Sequence, residues 1–344
     1  MLPPVTALLG GAYLFFRTWA YLPWWWALVL AGLAAVPLSL MWTKIEVYAV
    51  GVAYFFLFLI VFDVVSWGVW LVCGRQMVAP AVWLYRTMLV PVLCAVVFTS
   101  LGVFHAVHVV RTDYTVTTSK ALRAGGYQIA VLSDVHFGHG WSTAGMVQHV
   151  ADEISALNVD LVLFVGDITD EQTTPDQVTT VWRILSGIKC RSGRYFIPGN
   201  HDAGLITDEN AWAVPGVTLL RDTAVDIGDD LCLIGRQDAS QPRADVSALL
   251  PQDTQKTIIV ADHQPREFAA KAAAGVDLQI SGHTHGGQLF PMNWLMQWFR
   301  MNDQVYGQKR VQQMTAITSS GVLGSHPLRT AAKSEYVIIS LQSA

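Results

Sequence analysis

The feature that most constrains this chain of 344 residues is its apolar first third. Residues 1–111 hold only five basic residues (Arg17, Lys44, Arg75, Arg86 and Arg111) and two acidic ones (Glu46 and Asp63). A helix needs about 20 predominantly apolar residues to cross the hydrocarbon core of a bilayer. Four stretches qualify, at 4–21, 23–42, 47–72 and 87–110, the first interrupted by Arg17. Trp24, Trp25, Trp26, Trp42, Tyr48, Trp83 and Tyr85 crowd their ends, where the headgroup zone suits aromatic rings. The first third therefore reads as an all-α membrane bundle of four helices over 1–111. No basic run precedes the first apolar stretch, which argues against a cleaved signal peptide.

Arg17 and Asp63 fall at similar depths of spans that run in the same direction. An unpaired charge there is costly, so the two are expected to pair. A structural pair is the plain reading, and an ion or proton path is the sharper one. Four spans leave the N-terminus and the rest of the chain on one side, with Lys44, Arg111, Lys120 and Arg123 near the span ends. Arg75 and Arg86 mark the other side. The bias of basic residues favours a cytoplasmic location for the remainder. A count of three spans would reopen that orientation.

The remainder is different in kind. It holds eight of the ten histidines and carries a formal charge of −7. That acidity argues against a nucleic-acid partner, which favours a basic face. Cys73, Cys94, Cys190 and Cys232 form no CxxC or zinc-type spacing and no disulfide framework, with Cys190–Cys232 the one bridge to consider. This fits a reducing compartment.

Short apolar runs recur beyond Tyr114, and each ends in polar residues. "YQIAVLSDVH" ends at Asp134 and His136, "VDLVLFVGDITD" at Asp167, and "RYFIPGNHD" at Asn200, His201 and Asp202. "KTIIVADHQP" ends at His263, and "VDLQISGHTHGG" at His283 and His285. Continuous apolar runs of this length suggest strands covered on both faces. Helix-compatible segments lie between them, at 142–157, 175–187 and 265–274. α/β proteins tend to place their sites just past strand C-termini. One strand ending in Asp-x-His means little, and a single buried histidine is usually a satisfied core residue. Five such ends together supply Asp134, His136, Asp167, Asn200, His263, His283 and His285. Gly166, Gly199 and Gly282 precede members of this set, where the backbone is expected to turn tightly. Gly286 and Gly287 follow it.

Imidazole, carboxylate and amide donors suit Mn, Fe or Zn. Seven donors are too many for one four-coordinate zinc site and about right for two adjacent divalent ions. Two ions about 3.5–4 Å apart bind a phosphate and stabilise both attacking and leaving oxygens. With Asp134, Asp167 and a bridging hydroxide they leave one net positive charge, which attracts a phosphate ester to an acidic domain. His201, beside the set, is placed to protonate the leaving oxygen. Other catalytic templates are absent: no HExxH, GxSxG or GxxxxGK[ST] occurs.

The blocks "SDVH", "VGD", "PGNHD", "DHQP" and "GHTH", in this order from about Tyr127 onward, resemble the calcineurin-like metallophosphoesterase family. The resemblance implies an α/β fold, a four-layered α/β/β/α sandwich of two mixed sheets, over 127–344, with 112–126 as a linker. It implies that Asp134, His136 and His285 bind one metal, that Asn200, His263 and His283 bind the other, and that Asp167 bridges. It makes His201 the proton donor and Asp170 the carboxylate that orients it. In the protein-phosphatase branch Arg-Gly follows that aspartate; here Glu171 and Gln172 do. The departure argues against a phosphoprotein phosphatase and leaves a solvated turn acid as the other reading of Asp170. "GHTHGGQ" behind a membrane anchor looks most like the bacterial membrane-associated branch, which implies an integral protein of the cell inner membrane. Some relatives in the wider family hydrolyse phospholipids or lipid-linked diphosphates such as UDP-diacylglucosamine.

Directly after these glycines the chain turns apolar again: "QLFPMNWLMQWFRM". From Trp294 its spacing suits a short helix with a broad apolar face. A core helix is one reading. An interfacial helix that dips into the headgroup layer beside the metals, with Trp294 and Trp298 against substrate acyl chains, is the other. Together these features describe a membrane-anchored, two-metal phosphoesterase acting on a phosphodiester or diphosphate. The expected substrate is lipid-linked, and the lipid bilayer is a partner. A phosphodiesterase for soluble nucleotides is the enzyme alternative. A membrane scaffold or transporter with a degenerate phosphoesterase domain is the non-enzyme one.

Overall fold

The computed structural model describes residues 2–19, 21–39, 46–73, 79–139, 141–202 and 214–344. Trp42, Lys44 and Arg75, which enter the topology expectation, lie outside them. The chain divides into two compact units, Met1–Phe104 and His105–Ala344.

The first unit is helical: α1 (Leu2–Trp19), α2 (Trp24–Ser39), α3 (Glu46–Val72), α4 (Ala79–Thr87) and α5 (Leu89–Val107), whose last turn belongs to the second unit. Two of the four expected spans, Val47–Val72 and Leu89–Val107, are long and apolar enough to cross a membrane, with mean hydropathy 2.3 and 2.1. They are not core helices of a soluble protein, because Val64, Trp67, Val96 and Val97 are each more than half exposed. α1 and α2 are shorter, at 18 and 16 residues. α1 packs on α2 and α2 on α3, with Leu14, Ala34, Phe56 and Leu59 as a small core. Arg17 and Asp63 do pair. The guanidinium grips the carboxylate through Nε at 2.9 Å and Nη2 at 2.8 Å. The Tyr13 hydroxyl donates to the same carboxylate, and Arg17 Nη2 also reaches the Tyr85 carbonyl at 3.2 Å.

The second unit begins earlier than expected. The stretch expected as a linker, 112–126, opens inside a strand, β1 (Val110–Thr118), which pairs along its length with the last strand. Exposed and covered positions alternate along β1, as on an edge strand with one covered face. Then follow β2 (Tyr127–Leu132), α6 (Ala144–Ala156), β3 (Leu161–Val165), α7 (Pro175–Ser186), β4 (Arg194–Ile197), β5 (Thr218–Leu219), β6 (Thr223–Ile227) and β7 (Leu231–Gly235). The chain continues through β8 (Thr257–Ala261), α8 (Phe268–Ala273), β9 (Leu278–Ser281), α9 (Met292–Trp298), β10 (Gly307–Val311), β11 (Met314–Thr318) and β12 (Glu335–Ser343). Among the described residues all four cysteines are free.

Two six-stranded mixed sheets result, ordered β1-β12-β2-β3-β4-β5 and β10-β11-β9-β8-β7-β6. Alternation within single strands builds the layers. In β3, Leu161, Leu163 and Val165 face the inter-sheet core, where they meet Leu233, Ile259 and Ile280 of the other sheet. Val162 and Phe164 point the other way, onto Val150 and Ile154 of α6 and Val181 and Leu185 of α7. Ile234, Val260 and Ala316 of the second sheet likewise turn outward to Phe268 and Ala272 of α8. Each central strand is therefore buried on both faces, which explains its continuous apolar sequence. The capping box of Thr174 and Gln177, with Pro175 at the first turn, starts α7 where the pattern places it. This is the expected four-layered α/β/β/α sandwich. Its strands β2, β3, β4, β8 and β9 all carry polar residues just past their C-terminal ends.

Candidate metal centre

The turns after these strands are strained at the ligand candidates themselves. Asp134, His136, Asp167, His283 and His285 all have positive φ, between 45° and 72°. Such backbone costs about 1–3 kcal/mol per residue and persists only where the surroundings enforce it, typically at functional sites. The glycines serve two purposes. Gly166 does turn in the left-handed region, at φ 78°. Gly199 and Gly282 do not; they are small because side chains crowd them. A Cβ on Gly199 would strike Asp167 Oδ1, and one on Gly282 would strike Asp134 Oδ2.

All seven expected ligand side chains are drawn to one place. Asp134, His136 and His285 offer atoms within 4.8 Å of one another, and so do Asp167, His263 and His283. Asp167 lies between the groups, its Oδ2 3.0 Å from His263 Nε2 and 3.8 Å from His136 Nε2. Asn200 Oδ1 is 3.0 Å from His283 Nδ1. Asp134, His136, Asp167 and His263 are buried. His136 Nδ1 lies 3.1 Å from Asp170, and His263 Nδ1 donates to the Val165 carbonyl at 2.9 Å. Among the described residues His136 Nε2 is buried without a hydrogen-bond partner, and His263 Nε2 faces Asp167 Oδ2. Holding one ring nitrogen by an acceptor and leaving the other bare is how proteins present histidine to a metal. The donor set thus fits two divalent cations.

The charges agree. Burial pushes the Asp134 carboxyl up. Burial also works on Asp167, but His263 and His136 hold it well below the usual carboxylate range. Burial, then the neighbouring His263, lowers His283 to about 4. Burial, then His136 and Arg329, takes His285 well below its ordinary value, so both rings keep a lone pair. His263 goes the other way: against its burial, Asp167 and Asp134 draw a proton onto it. A divalent ion replaces such a proton when it binds.

His201 lies at the edge of this group, its ring 4.9 Å from that of His136 and its backbone N–H donating to Asp167 at 2.9 Å. Its charge is favoured despite partial burial, by Asp167, Glu171 and Asp170. Asp170 is within ion-pair range of His201 but makes no hydrogen bond to it. It is buried, so it is no solvated turn acid. Its nearest imidazole is His136, and it stands 3.7 Å from His201 Nδ1, too far for a hydrogen bond. Glu171 takes that position, 2.9 Å from His201 Nδ1. Trp294 and Trp298 stay out of the metal group. They stand on α9, 63% and 84% exposed. No residue of α9 is buried, which rules out the core-helix reading.

Two residues without an assigned role prove central. Asp202, at the end of the "PGNHD" block, accepts from the backbone N–H of Asp167 (2.6 Å), Gly199 (3.0 Å) and Thr169 (3.0 Å), tying two ligand turns together. Its block was the signal. Arg329 is fully buried and donates to the carbonyls of Ser320, Leu323 and Lys333. It shapes the segment that brings Gly321 against Asp134, and no motif announces it.

A two-sheet α/β sandwich with such groups at its strand ends is the fold seen in metallophosphoesterases. The family profile described as calcineurin-like phosphoesterase matches residues 127–287. A transmembrane protein with metallophosphoesterase domain from Danio rerio is 33% identical over 245 residues, covering 64% of this chain and 54% of that protein. An uncharacterized metallophosphoesterase from Helicobacter pylori (strain J99) is 30% identical over 225 residues, covering 62% of this chain and 59% of that protein. The match thus spans little more than half the length of these relatives. Among solved structures, a dimetal phosphatase from Danio rerio aligns with TM-score 0.35 and 13% identity, over 58% of this chain and 89% of that one.

Proposed function

We propose that this protein is a membrane-anchored phosphoesterase with two divalent metals, hydrolysing a phosphodiester or diphosphate bond in a lipid-linked substrate. The observation that carries the reading is the pair of His/Asp groups that meet at Asp167, with their donor atoms clustered within 4.8 Å in each group. Asp134, His136 and His285 would hold one cation and Asn200, His263 and His283 the other, with Asp167 lying between the two groups. When bound, the cations supply Lewis acidity for the phosphate and activate a water. The chain's own residues do the rest. Asp170 orients His136 through Nδ1, and the Val165 carbonyl orients His263. His201 gives a proton to the leaving oxygen as the P–O bond breaks. Mn, Fe and Zn all suit the donors.

Three observations support the membrane and the lipid. α3 and α5 are apolar and outwardly exposed. Only His108 and Val109 separate α5 from β1. α9, which closely follows the metal ligand His285, presents Met292, Trp294, Leu295, Trp298 and Phe299 to the outside. Relatives named as transmembrane proteins with this domain add weight. The "GHTHGGQ" run supports the bacterial membrane-associated branch. The four spans expected from the sequence and the basic residues near their ends favour a cytoplasmic domain at the inner membrane. Cysteine labelling at 111–123 from outside the cell would reverse that orientation.

Metal analysis and hydrolysis across phospholipids, lipid-linked diphosphates and cyclic nucleotides test the reading. Protein that stays free of Mn, Fe and Zn and inert would leave a scaffold. Preference for cyclic nucleotides would make it a soluble-substrate phosphodiesterase. A Trp294→Ala/Trp298→Ala double variant is expected to lose lipid turnover by about 10-fold or more, since burying each aromatic contributes about 1.5–3 kcal/mol. It should keep turnover of a water-soluble aryl phosphodiester. Equal loss on both refutes the lipid role.

A further inference from the structure

We infer that Glu171 is the residue that positions His201 for proton donation, a task that Asp170 has handed over because it serves His136. The inference rests on the proposed role of His201 and adds to it the residue that aims the ring. The geometry divides two adjacent carboxylates between two adjacent imidazoles. Asp170 Oδ2 stands 3.1 Å from His136 Nδ1 and 3.7 Å from His201 Nδ1. Glu171 stands 2.9 Å from His201 Nδ1. Asp170 is fixed in this choice: its backbone N–H donates to the Thr173 hydroxyl at 2.8 Å, and that hydroxyl donates to the Phe137 carbonyl at 2.5 Å. The turn is thereby pinned at Asp170, and Glu171 projects from it as an exposed side chain.

A carboxylate on Nδ1–H sets the ring rotation and leaves Nε2 as the nitrogen that carries the transferable proton. In the step itself, a water oxygen bonds to phosphorus and gives up its proton to solvent, the bond from phosphorus to the leaving oxygen breaks, and the proton on His201 Nε2 moves to that oxygen. Glu171 keeps its hydrogen bond and takes no proton, so it is a positioning residue.

The readout is leaving-group dependence. A nitrophenyl ester departs without help, while the corresponding phenyl ester needs its oxygen protonated. A merely structural defect slows both alike. The full-length, metal-loaded protein in detergent is assayed on both esters of the same phosphodiester. Glu171→Ala is expected to lower kcat on the phenyl ester on the order of 10- to 100-fold, within the contribution of general acid catalysis. On the nitrophenyl ester its loss should stay within about 3-fold, with metal content retained. Glu171→Gln, which still accepts from Nδ1–H, should recover most of the loss. His201→Ala is run beside it. A selective loss in His201→Ala without one in Glu171→Ala overturns the inference and leaves the proton donor standing. Equal losses of Glu171→Ala on both esters also overturn it. Equal rates of His201→Ala and wild type on the phenyl ester overturn the proton donor itself, and this inference with it.

Discussion

Gly282 has no room for a side chain: a Cβ there would lie 2.7 Å from Ser133 Cβ and closer still to Asp134 Oδ2. Gly282→Ala should therefore push the Asp134 carboxylate off its position, weakening metal affinity about 10- to 100-fold, the usual cost of disturbing a ligand's support. Metal titration by calorimetry measures this, and an unchanged affinity would mean that the turn relaxes freely. The ligand types and their order were legible because Asp, His and Asn at five strand ends have few other uses. Their backbone was not. Positive φ at Asp134, His136, Asp167, His283 and His285 is imposed by packing on residues that ordinarily avoid it. The task of Asp170 was not legible either, since motif order says which acid is near, and only distance says which imidazole it serves.

At the scale of elements, the strand C-termini hold the chemistry and the opposite ends hold the frame. Asp160, just before β3, accepts from the Gln128 backbone N–H at the start of β2 (2.8 Å), from Arg191 before β4 (3.1 Å) and from Arg123. Burial raises its carboxyl, but these donors outweigh burial and hold it below its ordinary value. A carboxyl with a lowered folded pKa stabilises above its unfolded pKa, about 3.9, and loses that contribution as pH falls through the folded value. Asp160→Asn should then cost about 2 kcal/mol at pH 7, with the gap to wild type closing below about pH 4. Thermal unfolding across pH measures it, and a gap that does not narrow as the pH falls below about 4 would contradict the assignment. β1 was hidden from the sequence because an edge strand with one covered face carries an alternating polar pattern that a tether also tolerates. α9 had two readings by periodicity, and its complete lack of buried residues decided between them.

For the whole molecule, the Arg17–Asp63 pair ties α1 to α3 in the apolar unit. Asp63→Asn would leave the Arg17 guanidinium without its partner, and removing one member of a buried pair costs about 3–5 kcal/mol. Thermal unfolding of detergent-extracted protein should show a clear drop, while metal content stays unchanged. Equal stability would reduce the pair to a local contact. The sequence by itself determined the division into an apolar helical third and an acidic α/β remainder, because solvent preference is written in composition. It also determined the metal chemistry, because donor atoms are a property of residue type. The tertiary structure alone decided which donors meet. Asp134 and His283 are far apart in the chain and close only because two sheets stack with their strand ends on one side. It alone decided that Glu171, one residue past the expected acid, faces His201, because a side chain's neighbour is fixed by the turn that carries it.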